Sequence, residues 1–234
     1  MIIEYVLYIA CLAAIGLSLL AQIKVNTTFN KYSRVGTSCG RSASAVARDM
    51  LDRAGLYHIR IEHVAGNLSD HYDPRAGVLR LSDSVYSSSS AAAVGVAAHE
   101  AGHAIQHAEG YAPIKLRTAL VPVTSFASKF SWLIIFAGAL MMGTYMGDMG
   151  YYIMLGGVGL FAFTTLFQLV TLPCEFNASA RAMSALEASG YYNRAELSAS
   201  RQVLFAAALT YVASFVLSLL QLLRLLVRLN NRRR

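Results

Sequence analysis

The sequence is poor in charge and in cysteine. Only 14% of its 234 residues are charged and 56% are hydrophobic, whereas charged residues make up about a quarter of an ordinary soluble domain. Intrinsic disorder is excluded by the same figures, because disordered chains are rich in charge and poor in apolar residues. Three scattered cysteines, Cys11, Cys39 and Cys174, are too few for a disulfide framework or a cysteine-rich zinc site. The apolar excess must therefore be concentrated in particular segments.

Basic residues outnumber acidic ones, 20 Lys and Arg against 13 Asp and Glu, but they do not interleave with aromatic residues on any segment. Nucleic acid is therefore excluded as a partner. The densest basic cluster follows an apolar run, a position in which basic residues indicate the orientation of a membrane span.

Four uncharged runs are long enough to cross the hydrocarbon core as helices, for which about 18 residues suffice. They are Val6–Ile23, Phe130–Gly147, Met149–Cys174 and Gln202–Leu223. No basic segment precedes the first run and no small-residue cleavage site follows it, so we interpret it as an uncleaved anchor. The short link at Gly147–Gly150 predicts that the second and third runs form an antiparallel hairpin.

The runs divide the chain into five segments of a mainly α integral membrane protein with three to four transmembrane helices. We predict a transmembrane anchor at 1–23, an aqueous α+β domain at 24–118, a transmembrane hairpin at 119–174, a helix at 175–201, and a C-terminal transmembrane or interfacial helix with a basic tail at 202–234. Within the aqueous domain, the patterns predict a helix over Ser42–Leu56, strands at Tyr57–Val64 and Val78–Leu81, and a turn at Ser69–Pro74.

A histidine motif lies on a further predicted helix of this domain. The sequence AAAVGVAAHEAGHAIQHAEG is rich in alanine, which favours a helix, and Gly110 is placed to end it. It contains H-E-x-x-H, with Glu100 between His99 and His103. Residues four apart share a helix face, so both imidazoles can bind one metal ion while Glu100 reaches a water molecule on it. Zinc lowers the pKa of such a water to about 7, and Glu100 would accept its proton.

A catalytic zinc needs a third protein ligand. His107 lies about 6 Å further along the helix axis than His103, which is too far for the same ion. Glu175 is the only acidic residue between Asp148 and Glu187, and the predicted hairpin returns it to the membrane face that the chain left. We interpret Glu175 as a candidate ligand, held near the start of the helix at 175–201; a simple carboxylate at the membrane edge is the alternative.

Several motifs follow one another in a fixed order after the anchor. They are SDHYDP (Ser69–Pro74), LRLSDSVY (Leu79–Tyr86), VAAHEAGHAIQ (Val96–Gln106) and, after the hairpin, LPCEFNASARAM (Leu172–Met183). This order resembles the bacterial YugP-like family of membrane zinc metallopeptidases over nearly the whole chain after the first span. The resemblance implies a zincin-like catalytic domain at 24–118, zinc as cofactor, and Glu175 as the third ligand, by likeness to gluzincins.

The HtpX-like membrane proteases are similar in plan, with a span pair between the histidine motif and a Glu-x-x-Ala-Asp motif. Residues 175–178 fit that second motif, but Ser179 stands in place of its aspartate. We therefore expect Asn177 or Ser179 to supply a weaker hydrogen bond to a metal ligand than a carboxylate would. Arg181 is grouped with them as a further supporting residue.

The oxyanion that develops during attack on a carbonyl needs a hydrogen-bond donor. Four residues of suitable type are available, and His71, between two aspartates in the predicted turn, is the first candidate. A turn-stabilising or surface histidine is the alternative interpretation of that residue. The other three donors are His63, Tyr72 and Arg181.

These observations predict a membrane-embedded zinc-dependent metalloendopeptidase, with Glu100 as general base, that hydrolyses peptide bonds of membrane or membrane-adjacent proteins. The alternative is a membrane scaffold or adaptor with a structural or vestigial zinc site that acts through protein partners. The expected partners are a protein or peptide substrate and the lipid bilayer; a membrane partner protein or a homo-oligomer stays open.

Orientation follows from the basic residues near the span ends. Lys and Arg are enriched on the cytoplasmic side of a membrane, and six of them flank the spans on the side of the catalytic domain, whereas the opposite side shows only Glu4 and Asp148. We therefore predict that the catalytic domain faces the cytoplasm across the cell membrane. The arginines at 224, 228 and 232–234 contradict this rule if the last run crosses the bilayer. Either that run lies along the membrane or the whole orientation is inverted. The basic residues on the catalytic side are Lys24, Lys31, Arg34, Arg41, Lys115 and Arg117.

Overall fold

The computed structural model describes residues 2–232, which form helices and one three-stranded sheet. Met1, Arg233 and Arg234, and with them the end of the predicted basic tail, lie outside the described residues. The predicted class, a mainly α membrane protein with a small α+β domain, is confirmed. In chain order the elements are α1 (Ile2–Tyr32), α2 (Ala43–Arg53), β1 (Arg60–Val64), β2 (His71–Asp73), β3 (Val78–Ser82), α3 (Ala91–Ala108), α4 (Ala112–Met141), α5 (Gly147–Ser189) and α6 (Arg194–Arg232).

The chain divides into two compact units. The helical unit comprises 2–20, 116–172 and 211–232, and the α+β unit comprises 21–115 and 173–210. Helices α1, α4, α5 and α6 are long and apolar enough to cross a membrane, judged by length and composition. The chain leaves the α+β unit after residue 115 and returns to it at residue 173.

The α+β unit is built on a small sheet with strand order β1, β3, β2. β3 runs parallel to β1 and antiparallel to β2, and its residues Val78, Leu79 and Leu81 are fully buried. A single core joins this strand to helices α2 and α3 and to the last turns of α5, through residues such as Leu51 and Leu186. The sheet and α3 therefore share one hydrophobic core.

One predicted turn contains a strand. The segment Ser69–Pro74 was expected to be a turn throughout, but His71–Asp73 pair with β3 as the edge strand β2. Asp70 fixes the start of this strand, because its carboxylate accepts hydrogen bonds from the backbone N–H and the hydroxyl of Ser82, at 2.7 and 2.9 Å. Such a short polar strand owes its conformation to its partner, which local sequence does not reveal.

The helical unit contains the expected hairpin of α4 and α5. Residues 142–146 connect the two helices, so the predicted link at Gly147–Gly150 is wrong: these residues already form the first turn of α5. The two helices approach each other closely because glycines lie where they meet. A Cβ atom at Gly157 would lie 2.8 Å from the backbone nitrogen of Ile135, and one at Gly138 would overlap the backbone of Met154.

Helix α5 continues without interruption past the end of the apolar run. The prediction of a separate helix beginning at Glu175 is wrong, because α5 extends from Gly147 to Ser189 with Pro173 inside it. Proline removes one helical hydrogen bond, but contacts with neighbouring helices can compensate for such a loss. Glu175 therefore lies in the middle of a long helix and not near an N-terminus.

The last apolar run packs within the helical unit. Leu225 and Leu229 of α6 are buried in a cluster with Ile135 of α4 and with Met154 and Val158 of α5. This packing favours the transmembrane alternative for the C-terminal segment over a helix that lies along the membrane surface. Length and composition also place α6 among the candidate spans.

Candidate metal centre

Helix α3 carries the histidine motif and begins at a capping serine. The hydroxyl of Ser90 accepts a hydrogen bond from the backbone N–H of Ala93 at 3.2 Å, which satisfies one of the free donors of the first turn. Small residues then allow other helices to approach: a Cβ atom at Gly95 would lie 3.1 Å from the Cβ of Ser200 in α6. The helix ends before Gly110, which has the positive φ of 69° typical of a glycine after a helix C-terminus.

The motif glycine lies against the helix that carries the third candidate ligand. A Cβ atom at Gly102 would be 2.8 Å from the carbonyl oxygen of Ala178 and 3.3 Å from its Cα. Real side chains do not tolerate the shorter distance, so α3 can approach α5 this closely only with glycine at this position.

Three candidate ligands converge where these helices meet. The Nε2 atoms of His99 and His103 lie 3.2 and 3.6 Å from Oε2 of Glu175, and one ligand atom from each residue lies within 4.8 Å of the others. Glu175 is 2% exposed and His103 is 7% exposed. Two imidazoles and a carboxylate in this arrangement could hold a metal ion.

A buried glutamine sets the tautomer of His103. Gln106 donates from Nε2 to the carbonyl oxygen of Cys174 and to Oδ1 of Asn177, each at 2.9 Å. Its Oε1 must therefore face Nδ1 of His103, 2.9 Å away, and accept a hydrogen bond from it. The proton on Nδ1 leaves the lone pair of Nε2 directed at Glu175, where a metal would bind.

The hydrogen-bond chain continues beyond the glutamine to a surface ion pair. Asn177 Oδ1 also accepts from Nε of Arg181 at 2.7 Å, and the same guanidinium pairs with Glu109 at 2.7 Å. This pairing lowers the pKa of Glu109, chiefly through the hydrogen bond from Arg181. Asn177 and Arg181 thus support His103 through Gln106 and do not contact the imidazole directly.

His99 has a weaker support. Its Nδ1 lies 3.1 Å from the hydroxyl of Ser179, the residue that stands where the HtpX-like motif has aspartate. A hydroxyl can donate or accept, so this contact does not fix the tautomer of His99 as strictly as Gln106 fixes that of His103.

Electrostatics favours a proton on His103 when no metal is present. Burial opposes protonation, but the hydrogen bond to Glu175 and the charges of Glu100 and Glu175 outweigh it and raise the pKa of His103. A divalent cation between the same groups would replace that proton as the positive charge.

Strand β2, which local sequence did not reveal, positions Glu100. Oε2 of Glu100 accepts a hydrogen bond from the backbone N–H of Tyr72 in β2, at 3.0 Å. Asp70, two residues before Tyr72, also feels the charge of Glu100. Burial raises the pKa of Asp70, and the negative charge of Glu100 raises it further. One carboxylate oxygen of Glu100 is therefore held by the sheet.

His71, the predicted oxyanion donor, lies on β2 beside this contact. Among residues 2–232, the polar contacts of its ring are with the carbonyl oxygen of Ser69 at 2.8 Å and with Arg80 at 3.4 Å. The structure thus places Tyr72, and not the ring of His71, in contact with Glu100, and a catalytic role of His71 stays a prediction.

Sequence reasoning missed Gln106 and the backbone of Tyr72. The i, i+3 spacing of His103 and Gln106 on one helix face could have indicated the first. No local signal indicates the second, because the contact joins a three-residue strand to a helix 28 residues away.

The chain is similar to known proteins over nearly its whole length. Residues 7–230 match the model of a family described as "Putative neutral zinc metallopeptidase". The chain is 45% identical over 222 residues to "Putative membrane protease YugP" of Bacillus subtilis (strain 168), which covers 94% of this chain and 96% of that protein. No solved structure gave a significant match.

Proposed function

The chain belongs to this family of neutral zinc metallopeptidases, and we propose that it is a membrane-embedded, zinc-dependent endopeptidase of the gluzincin type. Its substrates would be membrane or membrane-adjacent proteins, cleaved with Glu100 as general base. The observation that carries the proposal is the convergence of His99 and His103 of α3, the helix that also carries Glu100, with Glu175 of α5.

The donor set fits zinc. Two imidazole nitrogens and one carboxylate oxygen form a known combination for catalytic zinc, which leaves a fourth position open. The non-coordinating nitrogen of each histidine has a hydrogen-bond partner, Gln106 for His103 and Ser179 for His99, as is usual for zinc-bound histidines. A zinc ion held here supplies Lewis-acid polarisation of a water molecule and of the substrate carbonyl.

The protein itself supplies the group that transfers the proton, Glu100. Tyr72 N–H binds one oxygen of Glu100, so the carboxylate is oriented before substrate arrives and its other oxygen can accept the proton of the attacking water. The same carboxylate can then deliver that proton to the leaving amine. The scaffold alternative assigns no such role to Glu100 and predicts that its replacement leaves cellular function intact.

Zinc content and proteolytic activity, measured on the same variants, test this proposal. We expect purified wild-type protein to bind zinc near one equivalent and to cleave unfolded casein in detergent. Glu100→Gln should keep the zinc and lose at least about a hundredfold in rate, whereas Glu175→Ala should lose both. His107→Ala, one turn further along α3, is the matched control and should keep zinc.

Absence of zinc from the wild-type protein would refute the proposal. Retention of zinc and activity in Glu175→Ala would refute only the assignment of the third ligand. Full activity in Glu100→Gln would favour the scaffold alternative.

We further propose that the metal centre faces the cytoplasm, supported by Lys24, Lys31 and Arg34 beside the end of the first apolar run. A transmembrane α6 then places Arg224 and Arg228 on the opposite side, against the charge rule, and their binding to lipid phosphate would offset this. Single cysteines introduced in a Cys39→Ser background test this. Tyr145→Cys, in the α4–α5 connection, should react with an impermeant reagent in intact cells. Tyr191→Cys, in the α5–α6 connection, should react only after permeabilisation. The reverse pattern would establish the inverted orientation.

A further inference from the structure

A cavity of about 400 Å³ opens in the helical unit between α1, α4, α5 and α6. Its volume is within the range of roughly 300–1,000 Å³ found for ligand sites. Most of its wall is apolar, and it is lined by Leu12 of α1 and by Trp132 and Phe136 of α4, side chains that are all more than a third exposed. In a bilayer these exposed groups face lipid.

One end of the cavity is polar and positively charged. Gln221, Arg224 and Arg228 line it from α6, at a spacing that puts them on one helix face. The guanidinium of Arg224 lies over the ring of Tyr8, 4.8 Å from its centroid. This contact holds the charge at the cavity wall.

Neither arginine forms an ion pair with a described residue. In the part of the chain that the structure describes, no carboxylate lies within salt-bridge distance of Arg224 or Arg228, and no acidic side chain lines the cavity. The helical unit contains only Glu4 and Asp148 as acidic residues. Basic side chains that line a pocket between membrane helices and lack an acidic partner can bind an anionic headgroup.

The arginines lie directly after the apolar run of α6, where a helix that spans the bilayer would reach the lipid phosphates. Leu223 ends the uncharged run, and Arg224 is the first charged residue after it. The polar end of the cavity therefore lies where hydrocarbon gives way to headgroups, while Leu12 and Trp132 lie beside the apolar part.

We propose that this cavity binds an anionic phospholipid, whose phosphate contacts Arg224 and Arg228 and whose acyl chain lies along Leu12, Trp132 and Phe136. Basic pockets between membrane helices bind anionic headgroups for the same reason. Charge complementarity favours lipid over a second copy of the chain, because the helical unit of a copy has only Glu4 and Asp148 as acidic residues.

The only tryptophan of the chain lines the cavity and reports its occupancy. Full-length protein in phosphatidylcholine vesicles is titrated with phosphatidylglycerol or phosphatidylcholine brominated in the acyl chain, which quenches Trp132 on contact. We expect stronger quenching by brominated phosphatidylglycerol at equal mole fraction. Arg224→Gln and Arg228→Gln should each lower its relative affinity by about fivefold, while Arg224→Lys should keep most of it.

Arg201→Gln is the matched control, since Arg201 is on the same helix, pairs with Glu187 and does not line the cavity. Its preference for phosphatidylglycerol should equal that of the wild type. Equal quenching by the two lipids, or a preference that survives in the Arg224→Gln, Arg228→Gln double variant, would overturn the proposal. Insensitivity of Trp132 to both lipids, together with cross-linked dimers, would assign the cavity to a second copy instead.

Discussion

Gly102 of α3 lies directly against the backbone of Ala178 in α5, where even a methyl group would come within 2.8 Å of the carbonyl oxygen. Ala178 follows Glu175 by one helical turn, and Gly102 precedes His103 directly. The same contact therefore sets the distance from the histidines to the carboxylate. The candidate metal centre therefore depends on the absence of a side chain at Gly102 as well as on the residues that could bind the ion.

Gly102→Ala should separate the two helices and weaken the site. Overpacking of this kind costs about 1–3 kcal/mol, and we expect a lower thermal unfolding midpoint together with weaker zinc binding in competition with a chelator. Gly36→Ala is the control, because a Cβ atom at Gly36 would meet open space. Unchanged zinc affinity in Gly102→Ala would show that α3 and α5 can move apart without moving the ligands.

Gln106→Leu should weaken zinc binding although Gln106 is not itself a candidate ligand. The variant removes the acceptor that holds the Nδ1 proton of His103, and loss of such supporting groups typically costs 10–100-fold in metal affinity. Zinc dissociation constants from chelator competition measure the effect. Glu109→Gln, at the exposed end of the same hydrogen-bond chain, should change affinity little; an equal loss in both variants would contradict the tautomer argument.

Ser179→Ala should have a smaller effect than Gln106→Leu, since a single neutral hydrogen bond contributes about 0.5–1.5 kcal/mol. Ser179→Asp should bind zinc more tightly than the wild type, because a carboxylate holds the Nδ1 proton of His99 more strongly than a hydroxyl does. The same chelator competition measures both variants. Weaker binding by Ser179→Asp would show that the added charge is not accommodated beside Glu175.

Stabilisation by the protonated His103 and stabilisation by zinc should change with pH in opposite directions. The raised pKa of His103 means that, without metal, its imidazolium stabilises the fold fully below the ordinary pKa of about 6.5, and that this contribution is lost as the pH rises through the raised value. Zinc needs the unprotonated ring, so its stabilising effect should grow with pH.

Thermal unfolding midpoints between about pH 5.5 and 8.5, with chelator and with excess zinc, test this. The two curves should diverge as the pH rises, and at a zinc concentration a thousand times the dissociation constant the gain is about 4 kcal/mol. His103→Gln should abolish the divergence. Parallel curves in the wild type would exclude His103 as a zinc ligand.

Two adjacent glycines of α5 should respond differently to the same substitution. A Cβ atom at Gly157 would press on the backbone of Ile135, whereas one at Gly156 has no atom within 4 Å. Gly157→Ala should therefore destabilise the hairpin by about 1–3 kcal/mol, and Gly156→Ala should be neutral or slightly stabilising. Thermal unfolding in detergent compares them; equal midpoints would indicate that the helices pack less closely than the structure has them.

Local sequence predicted those features that depend on neighbours along the chain. The spans follow from uncharged runs, and α3 follows from its alanines and the stop at Gly110. His99, Glu100 and His103 share a helix turn, so their spacing alone indicated a metal-binding face. Glu175 was a candidate because acidic residues are so scarce in that part of the sequence.

Only the tertiary structure decided which groups support this face. Residues 71–73 become a strand because β3 pairs with them, and only then can Tyr72 N–H bind Glu100. Gln106 acquires its role from Cys174 and Asn177, about 70 residues away. The sequence determined the elements and the chemical groups on them, because helical periodicity and composition act over a few residues. Packing between distant segments decided the supporting contacts, because each depends on two chain positions that no local pattern relates.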